Sequence, residues 1–150
     1  MKIISGGQTG VDRAALDFAL EHKMPCGGFC PRGRLAEDGR IPDHYPLQET
    51  DSAEYAERTE KNILSANGTL ILYSGIITGG TQYTYLFSKT VKKPLFLVNT
   101  DQPLPLTRFQ NWMAMHKIRT LNIAGPRESQ HPGIYRTTLE VLQKLILKST

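Results

Sequence analysis

The chain has 150 residues, a length suited to one domain with a true core, and its 39% hydrophobic and 21% charged content is that of a globular protein rather than a disordered or fibrous one. No apolar run reaches the roughly 18 residues of a membrane span, MKIISGG is too short and glycine-broken for a signal peptide, and Cys26 and Cys30 make no disulfide scaffold, so a cytoplasmic protein is expected. The net charge of +4 is divided into −3 over residues 1–75 and +7 over residues 76–150, and no lysine-rich tail or aromatic-interleaved basic helix is present, which favours a small anionic ligand over nucleic acid or a membrane.

In chain order, the first β-rich run is KIIS (2–5), and a helical face of Val11, Ala15, Phe18 and Ala19, widened by Leu16 and Leu20, follows it. PCGGFC (25–30) reads as the second strand. The stretch 31–51, PRGRLAEDGRIPDHYPLQETD, is too long for an idle connection and is expected to fold over something. Tyr55, Thr59, Asn62 and Ile63 mark a second helix, TLILYS (69–74) a third strand, and Tyr83, Leu86, Phe87 and Val91 a third helix. PLFLVN (94–99) is the fourth strand, and a short helix over 106–118 is packed by Phe109, Trp112 and Met113. TLNIAG (120–125) is the fifth strand, followed by a helix carrying Leu139, Leu142, Leu145 and Ile146. Strands of near-continuous apolar character alternating with helices predict an α/β fold: a Rossmann-like three-layer sandwich with a mainly parallel sheet of about five strands. No repeat, low-complexity tract or linker divides the chain, so residues 1–150 are expected to form a single Rossmann-like ligand-binding domain.

In such a sheet the ligand sits where the carboxyl ends of the strands meet the helices. ISGGQTGVDRAAL (4–16) is the first of these turns, and Thr9 and Asp12 match the Thr-x-x-Asp capping pattern. Glycine loses the most backbone entropy on ordering, so Gly6, Gly7 and Gly10 imply a turn that needs bare backbone, either for positive φ or to admit a phosphate to the helix N-terminus. The turn matches neither G-x-G-x-x-G nor the Walker pattern. SGIITGGTQYT (74–84) and AGPRES (124–129) are two further glycine-bearing turns on the same predicted rim, with Arg13 and Arg127 as oxyanion partners. Arg58 and Asn62 share a helical face, which is read equally as solvated or functional. The cysteines and His22, His44, His116 and His131 show no zinc spacing, so no metal is expected. Asp12, Asp38 and Glu128 are the acid–base candidates, and Phe29, Leu35 and Tyr45 are candidates for covering a ligand ring beneath residues 31–51.

SGGQTGVDRAALDFA, RTEKNILSANGTLIL, GGTQYT and LNIAGPRESQHPGIY together resemble the molybdenum carrier family, which is similar to the algal molybdenum-cofactor carrier proteins. The resemblance covers nearly the whole chain and implies a Rossmann-like, usually oligomeric protein related to the lysine-decarboxylase-like phosphoribohydrolases. It implies that the cargo is the molybdenum cofactor (molybdopterin) or a related phosphate-bearing pterin or nucleotide-like ligand, with molybdoenzymes as its acceptors. The ligand contacts that it implies are Gly6, Gly7, Gln8, Thr9, Arg13, Gly79, Gly80, Thr81, Arg127 and Ser129. Asn67 stands where the family commonly has an Asp, which would change the charge of a site containing it. The related hydrolases carry P-G-G-x-G-T-x-x-E, and Thr84 falls at the Glu position. A carrier without catalytic residues is therefore expected, with a nucleotide-processing enzyme of the phosphoribohydrolase type as the alternative.

Overall fold

The computed structural model describes residues 1–147. Its main sheet holds β1 (Lys2–Ile4), β2 (Cys26–Gly27), β7 (Gly68–Tyr73), β8 (Leu95–Asn99) and β9 (Thr120–Ala124), ordered β2-β1-β9-β7-β8 and parallel at every pairing. The helices are α1 (Val11–Glu21), α2 (Tyr55–Ser65), α3 (Gly79–Thr90), α4 (Leu106–Met115) and α5 (Ile134–Leu142), the last continuing into a π-helical turn, Gln143–Leu147. This is the expected five-stranded Rossmann-like sandwich. From β1 the chain moves to one edge of the sheet and from β7 to the other, while β9 returns between them. The crevice such a reversal opens lies at the carboxyl ends of β1, β9 and β7.

Side chains alternate across a strand, and here the alternation separates two chemistries. Ile3, Leu70, Leu72, Phe96, Val98, Leu121 and Ile123 face one side and pack with Val11, Ala15 and Phe18 of α1, Phe109 of α4, and Ile134, Val141 and Leu142 of α5. Trp112 and Met113 join this core as expected, with Phe109 edge-on to Phe96 at 5.4 Å. The opposite side, beneath α2 and α3, is largely polar: Thr69, Asn122, Asn62, Thr81, Thr84 and Ser88 are all buried. Asn122 Nδ2 donates to Thr69 Oγ1 at 3.2 Å, and Thr84 Oγ1 donates to the Gly80 carbonyl at 3.0 Å. α3 is therefore turned against expectation. Thr81, Thr84 and Ser88 face inward, while Tyr83 and Leu86 are 38% and 51% exposed.

The run 25–30 is not one strand. Gly28 breaks it at φ 131°, where an added Cβ would stand 2.2 Å from the Ser5 carbonyl oxygen. β2 stays in the main sheet and β3 (Phe29–Cys30) leaves it to pair with β6 (Gln48–Glu49). Between them, β4 (Leu35–Ala36) and β5 (Gly39–Arg40) form a hairpin whose two-residue tip is Glu37-Asp38. Residues 31–51 do fold over something, but it is the first turn and α1: Ile41 and Tyr45 pack with Leu16 and Cys30, and Leu47 joins them. Arg34, buried, braces the segment by donating to the carbonyls of Ile41, Pro42, Tyr45 and Leu47. Asp17 clasps it from α1, accepting from the Tyr45 and Tyr135 hydroxyls.

Candidate functional site

A cavity of about 330 Å³ opens at the carboxyl ends of β1 and β9, under the N-terminal halves of α2 and α3. Gly6 and Gln8 come from the first turn, Asn122 from the floor, Gly125 and Arg127 from the turn after β9. Tyr55, Arg58 and Thr59 of α2 and Gly79, Gly80, Thr81 and Tyr83 of α3 complete the wall. The three glycine-bearing turns thus open on one rim, as five parallel strands require.

They are not equally available to a ligand. In the first turn, the Gly7 amide donates to Ser5 Oγ at 3.4 Å, the Thr9 amide to Gln8 Oε1 at 3.0 Å, and the Val11 amide to the Pro126 carbonyl at 3.2 Å. The Gly6 and Gln8 amides lie near enough to the Asp12 carboxylate to draw its pKa down. Asp12 also lies 3.5 Å from Arg58 Nη1, which donates to the Gly6 carbonyl at 2.9 Å. A Cβ on Gly6 would sit 2.1 Å from that same nitrogen, so glycine is needed here to admit the arginine. Thr9 does not cap α1: the N-cap is Gly10 with no side-chain bond, because Thr9 Oγ1 is drawn sideways to Glu37 and to the Glu128 amide.

At the start of α3, by contrast, no hydrogen bond among the described residues satisfies the Gly79, Gly80 or Thr81 amides, and the N-cap, Thr78, makes no side-chain cap. Thr81 is 6% exposed, lines the cavity, and has no hydrogen-bond partner for its hydroxyl among the described residues. Three free donors at the positive end of a helix, with the cavity-lining Thr81 hydroxyl beside them, form an anion cradle.

The residues expected from the sequence divide accordingly. Gly6, Gln8, Gly79, Gly80, Thr81 and Arg127 line the cavity. Gly7 lies under Ile41 and Leu47, and Thr9 and Ser129 meet at Glu37. Arg13 lies outside the lining, its guanidinium held by Asp38 at 2.7 and 3.1 Å and by the Gly7 carbonyl at 3.0 and 3.2 Å. None of residues 31–51 reaches the cavity, so Tyr45 and Leu35 cover no ligand there, and Phe29 is outside the lining too. The aromatic cover comes from Tyr55 and Tyr83. Asn67 is also remote, at the opposite rim, where its Oδ1 accepts the Arg119 and Thr120 amides. Of the two residues left open on α2, Arg58 lines the cavity and Asn62 lines it while bracing β3 through the Phe29 amide and carbonyl. Asn122 and the two tyrosines gave no sequence signal, since an Asn inside a strand and an exposed Tyr on a helix are common anywhere. Among the described residues, no group of three or more His, Cys, Asp or Glu could hold a metal ion, and no helix is long and apolar enough to cross a membrane.

Burial raises Asp12 to about 6, against the opposing pull of Arg58, the first-turn amides and Arg13. Asp12 is thus a cavity-wall carboxylate that titrates near neutrality, and it is the one acid–base candidate of the three that reaches the cavity.

Fold and crevice define a Rossmann-like α/β domain with an open cleft at the carboxyl ends of its parallel strands. The model of the circularly permutated YpsA SLOG family matches residues 3–146, and the chain belongs to that family. It is also similar, at 47% identity and a TM-score of 0.92 over 97% of this chain and 94% of the other, to the crystal structure of a putative molybdenum carrier protein from Syntrophus aciditrophicus SB. The resemblance to the molybdenum carrier family read from the sequence holds. No curated protein matches the chain.

Asp12 sets a pH dependence. Its folded pKa of about 6 lies above the ordinary 3.8, so the folded chain takes up the proton first. Its contribution to stability therefore grows as pH falls from about 6 towards 4 and is lost again as pH rises. Asp12→Asn is expected to flatten that part of the stability profile, measured by denaturant unfolding at several pH values.

Proposed function

We propose that the protein is a carrier that holds a phosphate-bearing ligand, the molybdenum cofactor or a related pterin or nucleotide, with its phosphate at the N-terminus of α3 and its ring between Tyr55 and Tyr83. The observation that carries this reading is the cradle of Gly79, Gly80 and Thr81, whose three amides no hydrogen bond among the described residues satisfies, set in the cavity wall. The likeness to the Syntrophus putative molybdenum carrier protein supports a molybdenum-related cargo, and molybdoenzymes are then the acceptors. The exposed face of Tyr83 and Leu86 on α3, with Leu64 of α2 at 51%, supports a homo-oligomer in which a second copy covers the aromatic edge of the cavity.

Magnitudes favour a ligand larger than phosphate. Two or three charge-assisted hydrogen bonds contribute about 3–9 kcal/mol, and the helix dipole about 0.3–1 kcal/mol. Lost translational and rotational freedom costs about 4 kcal/mol or more, and desolvation of the anion adds to that cost. The surplus gives a bare phosphate millimolar affinity, and apolar burial of a ring at about 25 cal/mol per Å² supplies the rest.

Thr84 speaks for binding without turnover: where related hydrolases hold a Glu, its hydroxyl is spent on the Gly80 carbonyl. One observation favours the enzymatic alternative, the Asp12 carboxylate in the cavity wall. In that case Asp12 is the acid–base group of a glycosidic hydrolysis.

Calorimetry is expected to find a pterin or nucleoside monophosphate bound at least about tenfold tighter than orthophosphate, with Thr81→Val weakening the former several-fold. Equal affinities for the two would mean that the ring is not recognised, and the carrier would lose its cargo. Incubation with adenosine or cytidine monophosphate is expected to release no free base above the blank. Release abolished by Asp12→Asn would establish the enzyme. Light scattering is expected to find an oligomer that Leu86→Glu dissociates, and a monomeric wild-type protein would remove the second copy from the site.

A further inference from the structure

The two arginines that the sequence marks as oxyanion partners are both occupied, and by neighbouring residues of one hairpin tip. Asp38 takes Arg13 in a two-pronged pair at 2.7 and 3.1 Å. Glu37 takes more: its carboxylate accepts the Ser129 amide at 3.1 Å, the Ser129 and Thr9 hydroxyls, and lies 3.4 Å from Arg127 Nε. Burial alone would raise the Glu37 carboxyl, but these hydrogen bonds and the Arg127 charge outweigh it and hold it below the ordinary carboxylate range.

This donor set comes from two separate places in the chain, Thr9 of the first turn and Arg127 with Ser129 of the turn after β9, and it converges on a single carboxylate. It adjoins the main cavity, because Arg127 lines that cavity and pairs with Glu37. The hairpin that delivers Glu37 is firmly held only at its base. Arg34 braces the base through four carbonyls, and Ile41 and Tyr45 are packed beside it. The tip is held by polar contacts: Asp38 on Arg13, Glu37 on the donor set, and the Glu37 amide on Gln8 Oε1 at 2.8 Å.

We propose that Thr9, Arg127 and Ser129 form a second anion-binding site, held in the free protein by the chain's own Glu37, and that a second anionic group of the ligand, of the phosphate class, takes that place and releases the hairpin tip. The proposal rests on the carrier reading and deepens it: the ligand carries two anionic groups, one at the start of α3 and one at Arg127. Glu37 is a tethered competitor, and a tethered group acts at an effective concentration of the order of millimolar, which a free ligand must exceed in binding strength. The exchange replaces one charge-assisted set with another.

The test follows backbone amides by nuclear magnetic resonance while orthophosphate is added to wild type, Glu37→Ala and Glu37→Gln. Ser129 is expected to respond in Glu37→Ala at a phosphate concentration at least about fivefold lower than in wild type, with Glu37→Gln between them. In wild type, the amides of residues 36–40 are expected to shift together with Ser129 as the tip leaves. Thr81 reports the α3 cradle separately, and its midpoint is expected to be the same in all three proteins. A Ser129 amide that stays silent in both variants, or responds equally in all three proteins, overturns the proposal. So does a Thr81 midpoint that moves in parallel with Ser129, because that is a field effect of the lost charge. A silent Thr81 beside a responsive Ser129 counts against the carrier reading and leaves the second site standing.

Discussion

The buried pairing of Asp12 with Arg58 and the first-turn amides governs the rest of the site. Removing a carboxylate and a guanidinium from water is costly, and each must find several partners to remain inside. Asp12 finds the Gly6 and Gln8 amides and Arg58, and Arg58 also finds the Gly6 carbonyl and the face of Tyr55 at 5.0 Å. The pair ties α1, on the apolar side of the sheet, to α2, on the polar side, across the end of β1. It also places an internal carboxylate at the glycine turn.

From this follows the distribution of donors around the rim. The first turn fills its needs from Asp12, Ser5, Gln8 and Pro126, and the turn after β9 fills part of its own from Glu37. The start of α3 has neither a capping side chain nor an internal carboxylate. That helix N-terminus opens on the cavity with its donors free, and the polar underside of the sheet, with Asn122 and Thr69, continues the same environment to the floor. Ile4, Ile63 and Ile71 are buried on this side among the polar residues.

Much of this was legible in the sequence. β and α runs alternate plainly enough to give the parallel sheet, and parallel strands oblige the three glycine turns to share a rim. The errors came where one residue answered to a distant part of the chain. Gly28 breaks the 25–30 run because Ser5 crosses it, a contact with no local signature. The capping pattern at Thr9 and Asp12 is correct in spacing, yet each side chain is captured by something nearer in space: Glu37 for one, Arg58 and the turn's own amides for the other. On α3 the apolar spacing of Tyr83, Leu86 and Phe87 suggested a buried face, but the polar sheet beneath selects Thr81, Thr84 and Ser88 instead. Glycines and arginines announce an anion site in sequence. Whether the anion is the chain's own is decided only by folding.

A crystal structure of the protein soaked with adenosine monophosphate tests the central claim most directly. The account predicts the phosphate at the amides of Gly79, Gly80 and Thr81, with Asp12 still seated on the first turn. A phosphate on the Gly6 and Gln8 amides, with Asp12 displaced, would contradict it.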